Sequence, residues 1–467
     1  MAGIESDRAI LDCGLDFGAV RADDVETEMK LEGAKVVVVG MARSGMAAVE
    51  LLREKGARVR AVDQKPAAAG VEPQTEASFA DAELIVLSPG VPADLAVLEG
   101  ARHRGARVIG DLELASWYLQ GEIIGITGAN GKTTTTALTG HILKQSGIAV
   151  QVGGNIGTPP AAMVKTSRAG QWNVLELSSF QLETTDTFRP HIGAALNVTP
   201  DHLDRHGTLE RYADAKGRLF TQQTTDDFKV LNADDPICQG FAGRGHGAVV
   251  WFSSTREVSP GAFLRGGEIL LNGNSVMKTS EVPLRGVHNL ENTMAAAAMA
   301  SLAGATHAQI RAAVMTFPGV EHRLEFVRRL NGVDWYNDSK ATNADASLKA
   351  IAAFDGGLWV ILGGKDKNSD YSVLANPLRA KAHGALLIGA AADKIGAQLR
   401  GSVPLLRSGT LDAAVAEAHA RAKSGDTVLL APACASFDQF ESFEHRGREF
   451  KRLVQALHED RQETKHG

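Results

Sequence analysis

A chain of 467 residues exceeds what one ordinary hydrophobic core supports and predicts two to four domains. A net charge of −6 argues against a nucleic-acid partner, which needs a basic face, and an aromatic content of 5% leaves no stacking platform as a theme. The three cysteines, Cys13, Cys238 and Cys434, are far apart and odd in number, so no disulfide framework or zinc spacing is visible and ordinary thiols are expected.

No apolar run approaches membrane-spanning length, and the N-terminus lacks the basic and apolar regions of a secretory leader. The expectation is a cytoplasmic monomer with no membrane contact. Residues 1–33 are acidic and weakly periodic and read as an extension with at most one short helix. Lys35 to Val39 is a β-branched run ending at Gly40, followed by a helical stretch, Met46 to Lys55, stopped by Gly56. Val59 to Asp63 is a second strand ending in an acid. The layout is a Rossmann-like βαβ unit, but its fingerprint is broken, because Ala42 stands where the second glycine belongs. It still offers a helix N-terminus for a diphosphate, and Asp63 for a ribose or base. Leu84 to Leu87 is a further strand, with a turn at Gly90 that closes over a ligand. Val108 to Asp111 reads as the exit from this domain.

The second unit holds the most informative stretch. Ile123 to Ile126 reads as a buried strand, and Thr127-Gly128-Ala129-Asn130-Gly131-Lys132-Thr133-Thr134 follows and enters a helix. Strand, glycine loop, helix is the context of a phosphate-binding loop: backbone N–H groups face phosphate oxygens, Lys132 reaches the terminal phosphates, and the Thr133 hydroxyl binds Mg2+. The match departs from the general pattern at Ile126, where the first glycine should stand. Downstream, Gly153 to Gly157 reads as a glycine-rich turn carrying Asn155. Trp172 to Ser179 is a strand with Glu176 near its end, and Ile192 to Val198 leads to Asp201-His202-Leu203-Asp204-Arg205-His206. Ligands bind at strand carboxyl ends in parallel α/β sheets, which puts the loop, Glu176 and His202 on one edge. Glu176 is a candidate magnesium ligand. His202 and His206 stand four apart, but Leu203 occupies the glutamate position of HExxH, so a metalloprotease is excluded.

Residues 248–284 predict a small antiparallel patch, and an alanine-rich helix is expected from Thr293 to Leu302. Gly319 to Arg323 reads as a linker, with Arg323 a candidate clamp on phosphate from a moving domain. A third α/β unit follows, with strands at Asp334–Lys340, Leu358–Leu362, Ala385–Ile388 and Thr427–Leu430 and polar residues at their ends. Lysines 132, 216, 340 and 367 supply the cations that ATP and an acidic substrate need. From the residues alone, a P-loop NTPase acting as a switch and an NAD(P) oxidoreductase remain rivals.

The strings GITGANGKTTT, NVLELSSFQLE, NVTPDHLDRH, HNLENTMAA, EHRLE, NDSKATN and APACASFDQFESFEHRG resemble the Mur ligases of bacterial cell-wall synthesis, from about residue 35 to the end. The resemblance implies an ATP-dependent, amide-forming ligase working through an acyl phosphate. It implies a UDP-binding Rossmann-like domain (34–110), a central ATP-binding domain (111–319) and a C-terminal amino-acid-binding domain (320–467). The wording implies UDP-N-acetylmuramoyl-L-alanine and D-glutamate as substrates. A sibling adding another amino acid is the alternative, though the DNPR string of the diaminopimelate-adding member is missing. By the matching strings, Gly128, Asn130, Gly131, Lys132, Thr133, Thr134, Asn289, Asn292, Arg323 and Asp338 hold ATP. Arg43, Ser44, Asp63, Gly90 and Asn155 contact the UDP-sugar. Lys340, Thr342, Lys367, Ser436 and Phe443 surround D-glutamate, with Lys365 the alternative to Lys367. Mg2+ falls to Thr133, Glu176, His202 and a carbamylated Lys216.

Overall fold

The computed structural model describes residues 29–66 and 69–458. Cys13 and most of the expected extension lie outside them. The chain is α/β and divides into two compact units. One runs through residue 132 and includes 147–231 and 235–249; the other takes 133–146, 232–234 and residues from 250 onward. Among the described residues no helix is long and apolar enough to cross a membrane.

The first unit opens with a parallel sheet of β1 (Lys35–Val39), β2 (Arg58–Asp63), β3 (Val71–Pro73), β4 (Leu84–Leu87) and β5 (Arg107–Gly110), in the order β3-β2-β1-β4-β5. The uninterrupted apolar runs of β1 and β4 are buried, as strands covered on both faces should be. The helix after β1 spans Arg43–Glu54, three residues earlier than Met46. Gly45 makes this early start possible: a Cβ there would lie 1.9 Å from the Gly40 carbonyl oxygen, so only glycine lets the helix pack this close to the strand exit.

The same unit continues with β6 (Glu122–Thr127), β7 (Val150–Gly154), β8 (Trp172–Glu176), β9 (Ile192–Ala195) and β10 (Phe228–Asn232), parallel and ordered β10-β9-β6-β8-β7. The predicted Gly153–Gly157 turn begins inside β7. The unpredicted β10 hides behind Lys229, which is 1% exposed and donates to the Ala242 carbonyl at 2.8 Å, so its charge breaks the apolar pattern of a buried strand.

In the second unit, β11 (Ala248–Ser253), β12 (Gly261–Arg265), β13 (Glu268–Leu271) and β14 (Asn274–Lys278) form the expected patch, but β11 pairs with β12 in parallel; only β12 to β14 are antiparallel. The alanine-rich helix begins at Val287, six residues before Thr293, and takes Asn289 and Asn292 onto one helical face. The last sheet holds β15 (Glu325–Leu330), β16 (Val333–Asn337), β17 (Leu358–Gly363), β18 (Ala382–Ile388), β19 (Leu405–Gly409) and β20 (Thr427–Leu430), ordered β15-β16-β20-β17-β18-β19. Only β15 runs antiparallel. Alternate residues feed two cores: Val360, Leu362, Leu387 and Leu429 on one face, Trp335, Ile361, Leu386 and Phe450 on the other. The exits of β16, β20 and β17 are neighbours, which gathers Asp338 to Thr342, Cys434 to Ser436 and Lys365 to Lys367 at one edge.

Candidate active site

The phosphate loop leaves β6 and turns at Gly131 (φ +82°) into the helix Lys132–Gln145. Its shape is set by Asn197, just past the end of β9. The Asn197 Oδ1 accepts the Asn130 N–H at 2.8 Å, its Nδ2 donates to the Asn130 carbonyl at 3.2 Å, and its own carbonyl accepts the Ala129 N–H at 2.8 Å. Sequence reasoning missed this residue. The Lys132 ammonium folds onto the loop, donating to the carbonyls of Gly128 (2.8 Å) and Ala129 (2.9 Å).

Thr208 caps the helix Leu209–Gly217 by accepting the Arg211 N–H, and that helix carries Lys216 inward. Lys216 is 1% exposed. Its Nζ donates to the Gly128 carbonyl at 2.8 Å and lies 4.4 Å from the Tyr212 ring centroid. Two ammonium groups thus share one carbonyl. Burial first, and then the Lys132 charge, hold Lys216 well below the ordinary lysine range. Glu176, at the end of β8, is buried; its Oε1 accepts from Asn155 Nδ2 at 3.2 Å, while Oε2 has no donor. An orphaned buried carboxylate oxygen fits a cation. His202 takes a left-handed conformation (φ +52°) that non-glycine residues rarely hold, and its ring meets Phe180 edge-on. His206 is different: it is buried against the Ser179 hydroxyl at 2.9 Å, and burial followed by the Arg205 charge keeps it toward the neutral form, a structural role.

The substrate residues assigned to the first sheet lie around the exit of β1. Asp63 accepts the N–H groups of Met41 (2.7 Å) and Lys65 (2.9 Å), which hold its carboxyl below the usual range. Ser88 donates to the Gly40 carbonyl at 2.6 Å, just before Gly90. The Arg43 guanidinium donates to the Gly157 carbonyl, tying this exit to the turn that bears Asn155.

In the second unit, Thr133 is the meeting point. Its Oγ1 accepts from Arg323 Nη2 at 3.2 Å and from Lys340 Nζ at 3.4 Å, residues 190 and 207 positions away. Asn292 accepts from Thr135 Oγ1 at 3.2 Å and donates to Asn289 Oδ1 at 3.0 Å. Asp338 is buried, and burial pushes its carboxyl up to about 7 against the pull of Arg323. Lys340 lies 5.4 Å from the Phe443 ring centroid. Ser436 is buried, Thr342 half-buried and Lys367 exposed. Lys365 is exposed too, but its backbone pairs with Ala435 (2.8 and 3.1 Å), which gives it a structural task that Lys367 lacks. Asp366, between them, accepts from Lys394 Nζ (2.7 Å) and Tyr371 Oη (2.7 Å), and Lys394 holds its carboxyl at about 2.

Sequence reasoning also missed Arg446. It is 1% exposed and donates to the Ser339 hydroxyl (2.9 Å), the Ser339 carbonyl (2.8 Å) and the carbonyls of Cys434 (3.2 Å) and Ala435 (3.4 Å). One guanidinium therefore fixes the loop before Lys340 against the loop before Ser436. Of seven non-glycine residues with left-handed backbone among those described, five (His202, His322, Leu324, Asn368 and Ala433) lie within three positions of a candidate site residue. Strain of this kind collects where geometry serves function.

Three family models match: the Mur ligase MurD-like N-terminal domain over 34–110, the Mur ligase middle domain over 126–300 and the Mur ligase glutamate ligase domain over 322–434. The chain is 60% identical to the UDP-N-acetylmuramoylalanine–D-glutamate ligase of Solibacter usitatus, over 92% of this chain and 99% of that one. It is 50% identical to the enzyme of the same name from Acidobacterium capsulatum, over 92% and 97%. Among solved structures, the fold is shared with a UDP-N-acetylmuramate-alanine ligase of Thermotoga maritima, at 19% identity and a TM-score of 0.59 over 90% and 99% of the two chains. The chain belongs to the Mur ligase family.

Proposed function

We propose that this enzyme joins D-glutamate to UDP-N-acetylmuramoyl-L-alanine at the expense of ATP, in peptidoglycan precursor synthesis. The relatives' names and their identity along nearly the whole chain support the two substrates. The observation that carries the chemistry is the convergence of Arg323 and Lys340 on the Thr133 hydroxyl, beside the phosphate loop. Two cations on one hydroxyl suit a transferring phosphoryl group, whose charge they stabilise. A P-loop switch has no need of Lys340, Lys367 and Ser436 at the edge of another sheet.

In this reading Gly128 to Thr134 cradle the ATP phosphates, and Asn289, Asn292, Arg323 and Asp338 hold the nucleotide. Arg43, Ser44, Asp63, Gly90 and Asn155 seat the UDP-sugar. Its alanyl carboxylate attacks the γ-phosphorus and ADP leaves. The neutral amine of D-glutamate then attacks the acyl phosphate, forming the amide and expelling phosphate. Thr342, Lys367, Ser436 and Phe443 position that amino acid. Mg2+ would be held by Thr133, Glu176, His202 and Lys216, and when bound it neutralises phosphate charge. For that role Lys216 is carbamylated: its neutral Nζ attacks the carbon of CO2, forming an N–C bond, one N–H proton passes to solvent, and the neutral amine becomes a carbamate anion. The depressed lysine basicity and the orphaned Glu176 oxygen support this. The protein acts in the cytoplasm as a monomer.

The test is a panel of amino acids offered with UDP-N-acetylmuramoyl-L-alanine and ATP, read by phosphate release. D-glutamate is expected to lead, because donors built for a second carboxylate are left unpaired by analogues lacking it. Equal turnover with D-alanine overturns the amino-acid assignment, and phosphate release without either substrate favours the switch.

A further inference from the structure

Two carboxyl groups two residues apart, Asp111 and Glu113, are both buried in the short helix that follows β5, and they are treated oppositely. Glu113 accepts the N–H groups of Asp186 (2.8 Å), Thr187 (2.9 Å) and Phe188 (3.0 Å) and the indole N–H of Trp117 (3.1 Å). Asp111 is 1% exposed, and neither of its oxygens has a donor in hydrogen-bonding position. A carboxylate in that state is disfavoured, which raises its affinity for a proton.

The polar group beside it is the Ser44 hydroxyl. Ser44 is the second residue of the twelve-residue helix Arg43–Glu54, whose first N–H groups point out of the sheet at the exit of β1. The unpartnered carboxyl therefore lies behind the end of the helix where a diphosphate is expected. The elements packed on the Asp111 helix carry few ionisable groups. They are Arg43, Glu50, Arg53 and Glu54 on the long helix, with Glu50 and Glu54 paired to Lys165, and Arg107 on β5, paired to Asp186. β4 and the helices Pro160–Met163 and Ser179–Leu182 carry none. None of these charges acts on Asp111; burial alone pushes it up to about 6, opposed by Ser44 and by the backbone N–H groups of Leu112 and Asp111 itself.

We propose that Asp111 is a positioning residue for the UDP-sugar: in the complex it is protonated and donates to the Ser44 hydroxyl oxygen, leaving the Ser44 O–H to point at the diphosphate. This rests on the UDP-sugar reading above. A proton enters with the substrate, because the diphosphate brings negative charge toward a carboxyl that is otherwise largely ionised at neutral pH. The diphosphate diester has no proton of its own to exchange near neutrality, so the uptake belongs to the protein.

The experiment is calorimetric titration of the full chain with UDP-N-acetylmuramoyl-L-alanine at pH 7 in two buffers of different ionisation enthalpy. The wild type takes up roughly half a proton or more, and its Kd weakens about tenfold from pH 6 to 8. Asp111→Asn loses that uptake and that slope. Binding with the same proton count and slope in both proteins overturns the proposal while leaving the UDP-sugar reading intact. Absence of binding in the wild type overturns both. A measurement needing no variant is the infrared difference spectrum of the wild type on adding the UDP-sugar. The carbonyl band of a protonated carboxylic acid grows; a spectrum without that gain overturns the proposal.

Discussion

The phosphate loop and the edge where β16, β20 and β17 end are both made of loops leaving parallel strands, but they are held differently. The phosphate loop is a backbone device, fixed by three hydrogen bonds to Asn197 and covered by two lysines that share the Gly128 carbonyl. The other edge is a side-chain device. Its functional groups stand on loops with left-handed residues, Asn368 and Ala433, and are steadied from beneath by Arg446 and by the Asp366–Tyr371–Lys394 set. In the proposed assignment a backbone cradle serves what all nucleotides share, and side chains read one particular amino acid. Damage to the first should therefore abolish turnover, and damage to the second should change affinity and choice of amino acid.

The hardest break is Lys132→Ala. Loss of the ammonium that stabilises charge on the transferring phosphoryl group lowers kcat on the order of 10³-fold or more, with an unchanged circular dichroism spectrum. Near-wild-type activity would remove the phosphate-loop assignment. Lys216→Arg keeps the cation but cannot be carbamylated, and kcat falls on the order of 10²-fold; a 13C-carbonate NMR signal present in the wild type and missing in the variant locates the cause. Arg446→Leu leaves buried carbonyls without donors and costs about 3 kcal/mol or more in urea unfolding. Its surviving folded fraction shows a raised KM for D-glutamate.

Asp338 sharpens the comparison from the ionisation side. Its carboxyl binds a proton more tightly in the fold, at about 7, than at the ordinary value of 3.8 in the unfolded chain. Its contribution to stability is thus complete below pH 4 and disappears as pH rises through 7, up to about 4 kcal/mol. Denaturant titrations of the ligand-free protein between pH 4 and 8 should show that decline, and Asp338→Asn should flatten it. The smallest effect separates the two exposed lysines. Lys367→Ala raises the KM for D-glutamate about tenfold, roughly the loss of one charge-assisted contact, whereas Lys365→Ala leaves it near wild type. The reverse result would exchange their roles.

The chemistry was most legible where strands are buried on both faces. Val36 to Val39, Leu84 to Leu87 and Val428 to Leu430 are unbroken apolar runs, and the polar residues that follow them are the proposed site. The strands that escaped notice include β15 and β19, which are the two edges of their sheet and half exposed, so neither carries a continuous run. Asn197 and Arg446 escaped for another reason. They act through partners 67 and 107 residues away, and no local pattern announces such a bond. His202 and His206 show the same limit at short range: only burial against Ser179 separates the structural histidine from the strained one.

The Arg446 clamp also dictates how this edge opens. The guanidinium on the helix Phe443–Ala456 grips Ser339, 107 residues away in sequence, and the Cys434 and Ala435 carbonyls at the same time. The loop from Cys434 to Ser436 cannot fray alone while those bonds hold. Its amide hydrogens should exchange with solvent only when the helix undocks and the sheet opens as one cooperative unit, at rates matching the buried strands β16 and β20. The segment from Lys367 to Ser369, bound through the partly exposed Asp366 rather than through the clamp, should exchange by its own local openings, orders of magnitude sooner.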